Sequence, residues 1–134
     1  MAAAKKLSYD HWGLAVYETE DGREWAVGTE SQANKAAKEN VLESLWAFRT
    51  DYIARAVGLT DQEERGLQAM QEKLSEDANA IVRRIIGERN LDRFVREAID
   101  SDGRGHFLSP YDGEEHSSDE IEGLPRGKLA YRIN

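Results

Sequence analysis

The chain has 134 residues, of which 40% are hydrophobic, and this length predicts one domain over residues 1–134 with a single core. It contains no cysteine, which excludes disulfides and thiolate sites and suits a reducing cytoplasm, where we expect the protein to act. The formal net charge of −8 argues against direct binding to nucleic acid and suits a basic protein partner.

The N-terminal segment predicts a β-hairpin. In residues 12–16 and 24–28, apolar side chains alternate with smaller or polar ones, and Asp21-Gly22 between them is a hairpin turn signal. Neither the first ten residues nor any later segment has the apolar run of a signal peptide or of a membrane span. We therefore expect no membrane partner.

Two helices are predicted after the hairpin. Thr29 and Gln32 have the spacing of a capping box, which begins a helix that ends at Phe48. Thr50 or Asp51 then caps a shorter helix that ends at Gly58.

A third helix is predicted over residues 60–86. Thr60 and Glu63 form a second capping box, and Gly87 ends the helix. Such a helix has about 26 residues and a length of roughly 39 Å, which is more than a small domain needs. It therefore projects from the domain or breaks near Ser75, and its apolar stripe predicts a homodimer formed through this helix.

A fourth helix leads into a stretch that is dense in special residues. Asn90 is the expected N-cap, and the helix is expected to end near Asp100. Gly103 and Gly105 allow a sharp turn, after which residues 106–108 are predicted as a short strand.

The order of elements predicts the fold class. Residues 110–113 and 123–127 have the composition of turns, and residues 129–133 alternate as a closing strand. Strands, then a block of helices, then strands are typical of an α+β fold. We expect one antiparallel sheet, built from the N-terminal hairpin and the C-terminal strands and packed against about four α-helices.

The turn region over residues 100–116 is the first candidate site, as the centre of a small metal-dependent enzyme. His106, Asp112 and His116 are competent ligands for a divalent ion, and Glu114 and Glu115 lie beside them. Their spacing matches no known metal motif, and the chain has no nucleophile elbow and no dinucleotide loop. Catalysis is therefore the alternative interpretation, and no cofactor is expected.

The second candidate site is an acidic run without lysine or arginine. One interpretation is a solvated loop. The other is a surface that imitates a phosphate chain and binds the basic groove of a protein partner. The predicted binding residues are Tyr111, Asp112, Glu114, Glu115, Asp119, Glu120 and Glu122.

Three tryptophans lie on predicted inner faces. Trp12, Trp25 and Trp46 are therefore expected in the core. Trp25 has a second interpretation as an exposed anchor for a partner.

Three segments carry a resemblance to a known group of proteins. Residues 103–115 (GRGHFLSPYDGEE), the end of the chain (YRIN) and residues 24–30 (EWAVGTE) resemble small uncharacterised proteins encoded by tailed bacteriophages. The resemblance implies an accessory protein in the cytoplasm of an infected bacterium, one that binds and inhibits a host nucleic-acid-processing enzyme or defence complex. It assigns a role to no individual residue.

Overall fold

The computed structural model describes residues 2–134, and over these residues it consists of one five-stranded sheet and six α-helices. The expected α+β class is confirmed, with a sheet built from an N-terminal hairpin and C-terminal strands. The strands are β1 (Lys5–His11), β2 (Leu14–Glu18), β3 (Glu24–Gly28), β4 (His116–Ser117) and β5 (Leu129–Arg132). The helices are α1 (Glu30–Glu43), α2 (Thr50–Val57), α3 (Asp61–Leu74), α4 (Asn79–Ile86), α5 (Glu88–Asp102) and α6 (Arg104–Leu108).

The chain divides into two compact units. The sheet unit comprises residues 2–40 and 99–134, and the helical unit comprises residues 41–98. The expected single domain over residues 1–134 stays a prediction, because two compact units can belong to one domain.

All neighbouring strands are antiparallel, in the order β1-β2-β3-β5-β4. The β2–β3 hairpin confirms the Asp21-Gly22 turn, in which Gly22 has φ +84° and its N–H donates to Thr19 O. The strand expected from residue 12 begins at Leu14, because Trp12 (φ +54°) and Gly13 form a tight turn after β1. Strand β1 was not predicted from the sequence, because it is an edge strand of mostly exposed polar residues.

The sheet unit buries both faces of its sheet. On one face, Leu14, Ala26 and Tyr131 pack with Ala33 and Ala37 of α1. On the other face, the buried residues Trp25, Val27, Leu124 and Ala130 form a second cluster, with Ala4, Tyr17 and Ile121 packed against it. The C-terminal loop therefore supplies part of the core, as well as linking β4 to β5.

Helix α1 begins where the capping box predicted and ends earlier than expected. Gln32 N donates to Thr29 Oγ1 over 3.2 Å, and Thr29 N donates to Gln32 Oε1 over 2.9 Å. The helix was expected to reach Phe48 but stops at Glu43, and residues 45–47 form a 3₁₀ turn.

One side chain in the helical unit supports the backbone around this turn. Asn79 Nδ2 donates to Leu42 O over 2.8 Å, and Trp46 N donates to Asn79 Oδ1 over 3.0 Å. A side chain from distant sequence therefore supplies hydrogen bonds that a continuous helix would form within itself.

The single helix predicted over residues 60–86 is wrong, and the alternative break near Ser75 is confirmed. The capping box of Thr60 and Glu63 begins α3, but Ser75 has φ +50°, and residues 75–78 form a 3₁₀ turn before α4. This break and the additional short helix α6 explain why six helices are present where about four were expected.

Glycines end α2 and α4 as predicted. Gly58 is left-handed at φ +75°, and Gly87 has φ +83°. Asn90 is not the N-cap of α5, which begins at Glu88; its Nδ2 instead donates to Ile86 O over 3.2 Å. Over residues 2–134, no helix combines the length and the apolar character that a membrane span requires.

Candidate functional site

The predicted strand over residues 106–108 is wrong, because this segment belongs to helix α6. Gly103, with φ +86°, ends α5, and Ser109 N donates to Gly105 O over 2.8 Å at the end of the new helix. The buried residues Gly105 and Leu108 are three positions apart, which places them on one helical face and on opposite faces of a strand.

Gly105 allows the chain to fold back closely on α6. A Cβ atom at this position would lie 2.5 Å from Glu114 C and 2.8 Å from Glu115 N. Real Cβ atoms do not approach backbone this closely, so the segment after the turn lies against α6 only because residue 105 is glycine. This contact sets the position of Glu114 and Glu115.

The predicted turn over residues 110–113 is present, and Asp112 is its centre. Ser109 Oγ lies 2.7 Å from Asp112 Oδ1, Glu114 N donates to the same oxygen over 2.9 Å, and His116 Nε2 lies 3.0 Å from Asp112 Oδ2. Burial alone would raise the pKa of Asp112, but the hydrogen bonds from Ser109, Glu114 N and His116 lower it to about 2. Asp112 is therefore a structural carboxylate that holds the turn.

The order of these groups does not suit nucleophilic catalysis. In a catalytic triad the histidine lies between the serine and the acid, so that it can take the serine's proton. Here Asp112 lies between Ser109 and His116. Ser109 Oγ also lies 2.8 Å from Arg132 O, which engages the hydroxyl with the backbone of β5.

Glu115 is neutralised by an arginine that sequence analysis did not assign to it. Arg104 Nε and Nη2 donate to Glu115 Oε1 and Oε2 over 2.8 and 3.0 Å, and the side chain of Arg104 is 20% exposed. Arg104 Nη1 donates to Asn34 Oδ1 over 2.8 Å and lies 3.7 Å from Glu30.

Tyr131 also belongs to the hydrogen-bond network around Glu115. It is fully buried, and its hydroxyl donates to Glu115 Oε1. Burial, and then the hydrogen bond to Glu115, raise the pKa of Tyr131 far above its usual value. The phenol therefore stays protonated as a donor, and Glu115 has a structural role.

Two further members of the predicted binding set also have internal partners. Asp119 Oδ1 accepts from Gly127 N over 2.8 Å and lies 3.8 Å from Arg126 Nε. Tyr111 is 56% exposed, and the guanidinium of Arg132 lies 3.6 Å from the centre of its ring. The acidic run has no lysine or arginine in sequence, but two arginines, Arg104 and Arg126, meet its carboxylates in space.

Glu114, Glu120 and Glu122 are the members of the set that remain available. Their side chains are exposed, and within residues 2–134 none of them has an ion pair or a side-chain hydrogen bond. The predicted site therefore separates into carboxylates that hold the fold and carboxylates that face solvent.

The available carboxylates join acids from other parts of the chain in two clefts of the sheet unit. The first, the Arg104 cleft, has a volume of about 760 Å³, and its charged lining residues are Glu30, Asp100, Asp102, Arg104, Glu114 and Glu115. The second, the Trp25 cleft, has a volume of about 480 Å³, and its lining residues include Glu20, Asp21, Arg23, Trp25, Glu120, Ile121 and Glu122. Each cleft has several carboxylates and a single arginine.

The predicted binding set did not include the acids that precede Tyr111 in the chain. Glu20 and Asp21 lie in the turn of the predicted hairpin, whereas Glu30 lies at the start of α1 and Asp100 and Asp102 at the end of α5. Glu20 and Asp21 could have been found from the predicted pairing of the hairpin with the C-terminal strands. Such pairing brings the hairpin turn and the loops between the C-terminal strands to one region of the sheet edge.

The metal alternative gains no geometric support. Within residues 2–134, no group of three or more histidine, aspartate or glutamate side chains is arranged so that it could hold a metal ion, and this includes His106, Asp112 and His116. His106 is exposed, and its ring packs edge-to-face against Phe107 at 4.9 Å.

In comparisons with protein-family models, with curated proteins and with solved structures, nothing matches this chain. A proposal about its function therefore rests on the geometry and charge of the chain itself, together with the resemblance in its three segments.

Proposed function

We propose that this chain is an acidic binding protein whose two clefts engage a basic surface of another protein. The observation that carries the proposal is the gathering of unpaired carboxylates, Glu114, Glu120 and Glu122, with acids from the rest of the chain around two concave surfaces. Concave surfaces of this size, lined by one sign of charge, concentrate the electric field and attract ligands of opposite charge.

The paired carboxylates make the surface more selective. Asp112 and Glu115 are held by Ser109, His116, Arg104 and Tyr131, so the backbone that carries Glu114 has a defined position. A charge on an ordered backbone can match a fixed pattern of basic groups, and complementary patterns select partners and raise association rates.

The resemblance to tailed-bacteriophage proteins suggests the class of partner. A host enzyme that processes nucleic acid, or a defence complex, has a basic groove for the phosphate chain. An acidic protein in that groove would exclude the nucleic acid and so inhibit the host protein, in the cytoplasm of the infected cell. The metal-dependent enzyme is not proposed, because its three candidate ligands do not form a site over the described residues.

The first prediction tests the available carboxylates directly. A partner is first captured from bacterial lysate and purified, and its association with the chain is then measured by stopped flow or surface plasmon resonance. Glu114→Gln, Glu120→Gln and Glu122→Gln combined should lower the association rate constant about tenfold or more, with a smaller effect on dissociation, because long-range attraction acts on encounter.

A matched control removes the same charge elsewhere. Glu39, Glu76 and Glu97 are also exposed, and changing all three to Gln gives the same net charge. The control should associate nearly as fast as the wild type. Equal slowing by both triple variants would show that net charge alone acts, and no slowing by either would refute the proposal.

A further inference from the structure

The Trp25 cleft has a composition that suggests a specific ligand. It lies between the hairpin turn over residues 19–23 and the segment over residues 120–122, and its volume of about 480 Å³ falls within the usual range for ligand pockets, about 300–1,000 Å³. Trp25 is the most buried of its lining residues, with 5% of its surface exposed. Trp25 is therefore the least exposed residue of the cleft lining.

The indole has an unused hydrogen-bond donor. Among residues 2–134, Trp25 Nε1 is buried and has no hydrogen-bond partner. Within the same residues, the ring of Trp25 contacts that of His116, edge-to-face at 5.5 Å. Buried indole N–H groups usually have an acceptor, and leaving one without a partner is unfavourable. The donor is therefore a group that a ligand with an acceptor would satisfy.

The rim of the cleft provides unpaired negative charge. Asp21 is paired with Arg23 over 3.2 Å and also accepts a hydrogen bond from Thr19. Glu20, Glu120 and Glu122 are exposed and have no ion pair within residues 2–134. The excess of carboxylate over arginine favours a cationic ligand.

We propose that the Trp25 cleft binds an arginine side chain in an extended basic segment of the partner, an inference that rests on the proposed function. The guanidinium pairs with Glu20, Glu120 and Glu122, since its planar set of donors serves several carboxylates at once. A peptide carbonyl of the same segment accepts from Trp25 Nε1. Because Trp25 Nε1 is buried, a neighbouring side chain has to shift before the carbonyl can reach it. The proposed mobile residue is Ile121, which lines the cleft, is half-buried and packs against the Trp25 cluster.

The test uses a capped peptide, Arg-Gly-Arg-Gly-Arg, and nuclear magnetic resonance of the ¹⁵N-labelled full chain. The control peptide has citrulline in place of each arginine, which keeps the shape and removes the charge. The arginine peptide should shift the indole Nε1–H resonance of Trp25 more than those of Trp12 and Trp46. The citrulline peptide should leave all three unshifted.

Two pairs of exposed substitutions assign the binding to one cleft. Glu120→Gln with Glu122→Gln should raise the peptide Kd at least about threefold, and should raise it more than Glu30→Gln with Glu114→Gln in the Arg104 cleft does. These positions are on the surface, so both variants are expected to fold.

Three results would overturn the inference: no binding of the arginine peptide, binding without a shift at Trp25, or equal binding of the citrulline peptide. If only the Arg104-cleft variant weakens binding, the proposed function stands and this inference fails. If the peptide binds at Trp25 but the Glu114, Glu120 and Glu122 triple variant associates with its partner normally, the cleft is an arginine site and the proposed function fails.

Discussion

Asp112 shows how one carboxylate can be given a structural role by its neighbours. Its two oxygens accept hydrogen bonds from Ser109, Glu114 N and His116, and its pKa falls to about 2. The ordinary pKa of an aspartate is 3.8, so the folded state binds a proton less readily than the unfolded state. Folding therefore gains stability from Asp112 above the unfolded pKa.

The lowered pKa of Asp112 predicts that the protein loses stability as the pH falls. The contribution of Asp112 should be complete above about pH 4 and should be lost as the pH falls from there to about 2. Urea unfolding of the wild type and of Asp112→Asn at pH 6, 4, 3 and 2 would measure it. The wild type should lose more unfolding free energy between pH 4 and pH 2 than the variant, since only the wild type has this group to protonate. Parallel losses would contradict the assignment.

Among the elements, α6 depends on one glycine. Gly105→Ala would place a methyl group against the backbone of Glu114 and Glu115, which cannot move aside as a flexible side chain could. We expect this variant to lose about 1–3 kcal/mol of unfolding free energy. Gly66→Ala is the matched control, because Gly66 is a helical residue with open space at its Cβ position. The control should be stabilised slightly. Equal stability of Gly105→Ala and the wild type in urea unfolding would refute the close approach.

The predicted homodimer through residues 60–86 remains a proposal, and in the structure fewer apolar side chains of this segment are exposed to form its interface. The break at Ser75 divides the stripe, Leu67 and Val82 are buried, and Ile81 is 41% exposed. If two copies meet through this segment, Ile81→Glu should lower the mass in solution, measured by light scattering, because a charge would enter the interface. A wild type that is monomeric at high concentration would exclude the dimer.

The elements that sequence analysis predicted correctly are those with local signals. The capping boxes of Thr29 and Thr60 and the Asp21-Gly22 turn depend on residues close in sequence, and each is present. Strand β1 and helix α6 lack such signals. The pairing of Glu115 with Arg104 was also not predictable from the sequence. The two residues are eleven positions apart and meet only after the turn that follows α6 has formed.

For the candidate site, the composition indicated the acidic segment but could not show which of its carboxylates face solvent and which have partners within the fold. Glu114 and Glu115 are adjacent and chemically identical, yet one faces solvent and the other is bound by Arg104 and Tyr131. The difference arises from their backbone positions beside Gly105. Which carboxylates of a run are available is therefore a property of the fold.

At the scale of the whole molecule, the charge of −8 and its gathering in two clefts predict the salt dependence of partner binding. The Debye length falls from about 10 Å at 0.1 M salt to about 3 Å at 1 M. We expect the association rate constant to fall at least about tenfold over this range, while the dissociation rate constant changes less. Stopped-flow measurement across a salt series is the test. A rate constant that does not vary with salt would mean that the acidic segment is only solvated.

The position of β5 in the sheet affects how the protein forms during translation. Trp25 pairs with Arg132 and Gly28 with Leu129, so the middle of the sheet joins segments about a hundred residues apart in the chain. On the ribosome, β3 emerges about a hundred residues before β5 and has to wait for this neighbour. The helical unit over residues 41–98 is fully synthesised during that wait. A nascent chain released before residue 129 lacks the strand that covers the edge of β3, and it leaves that edge open to pairing with other chains.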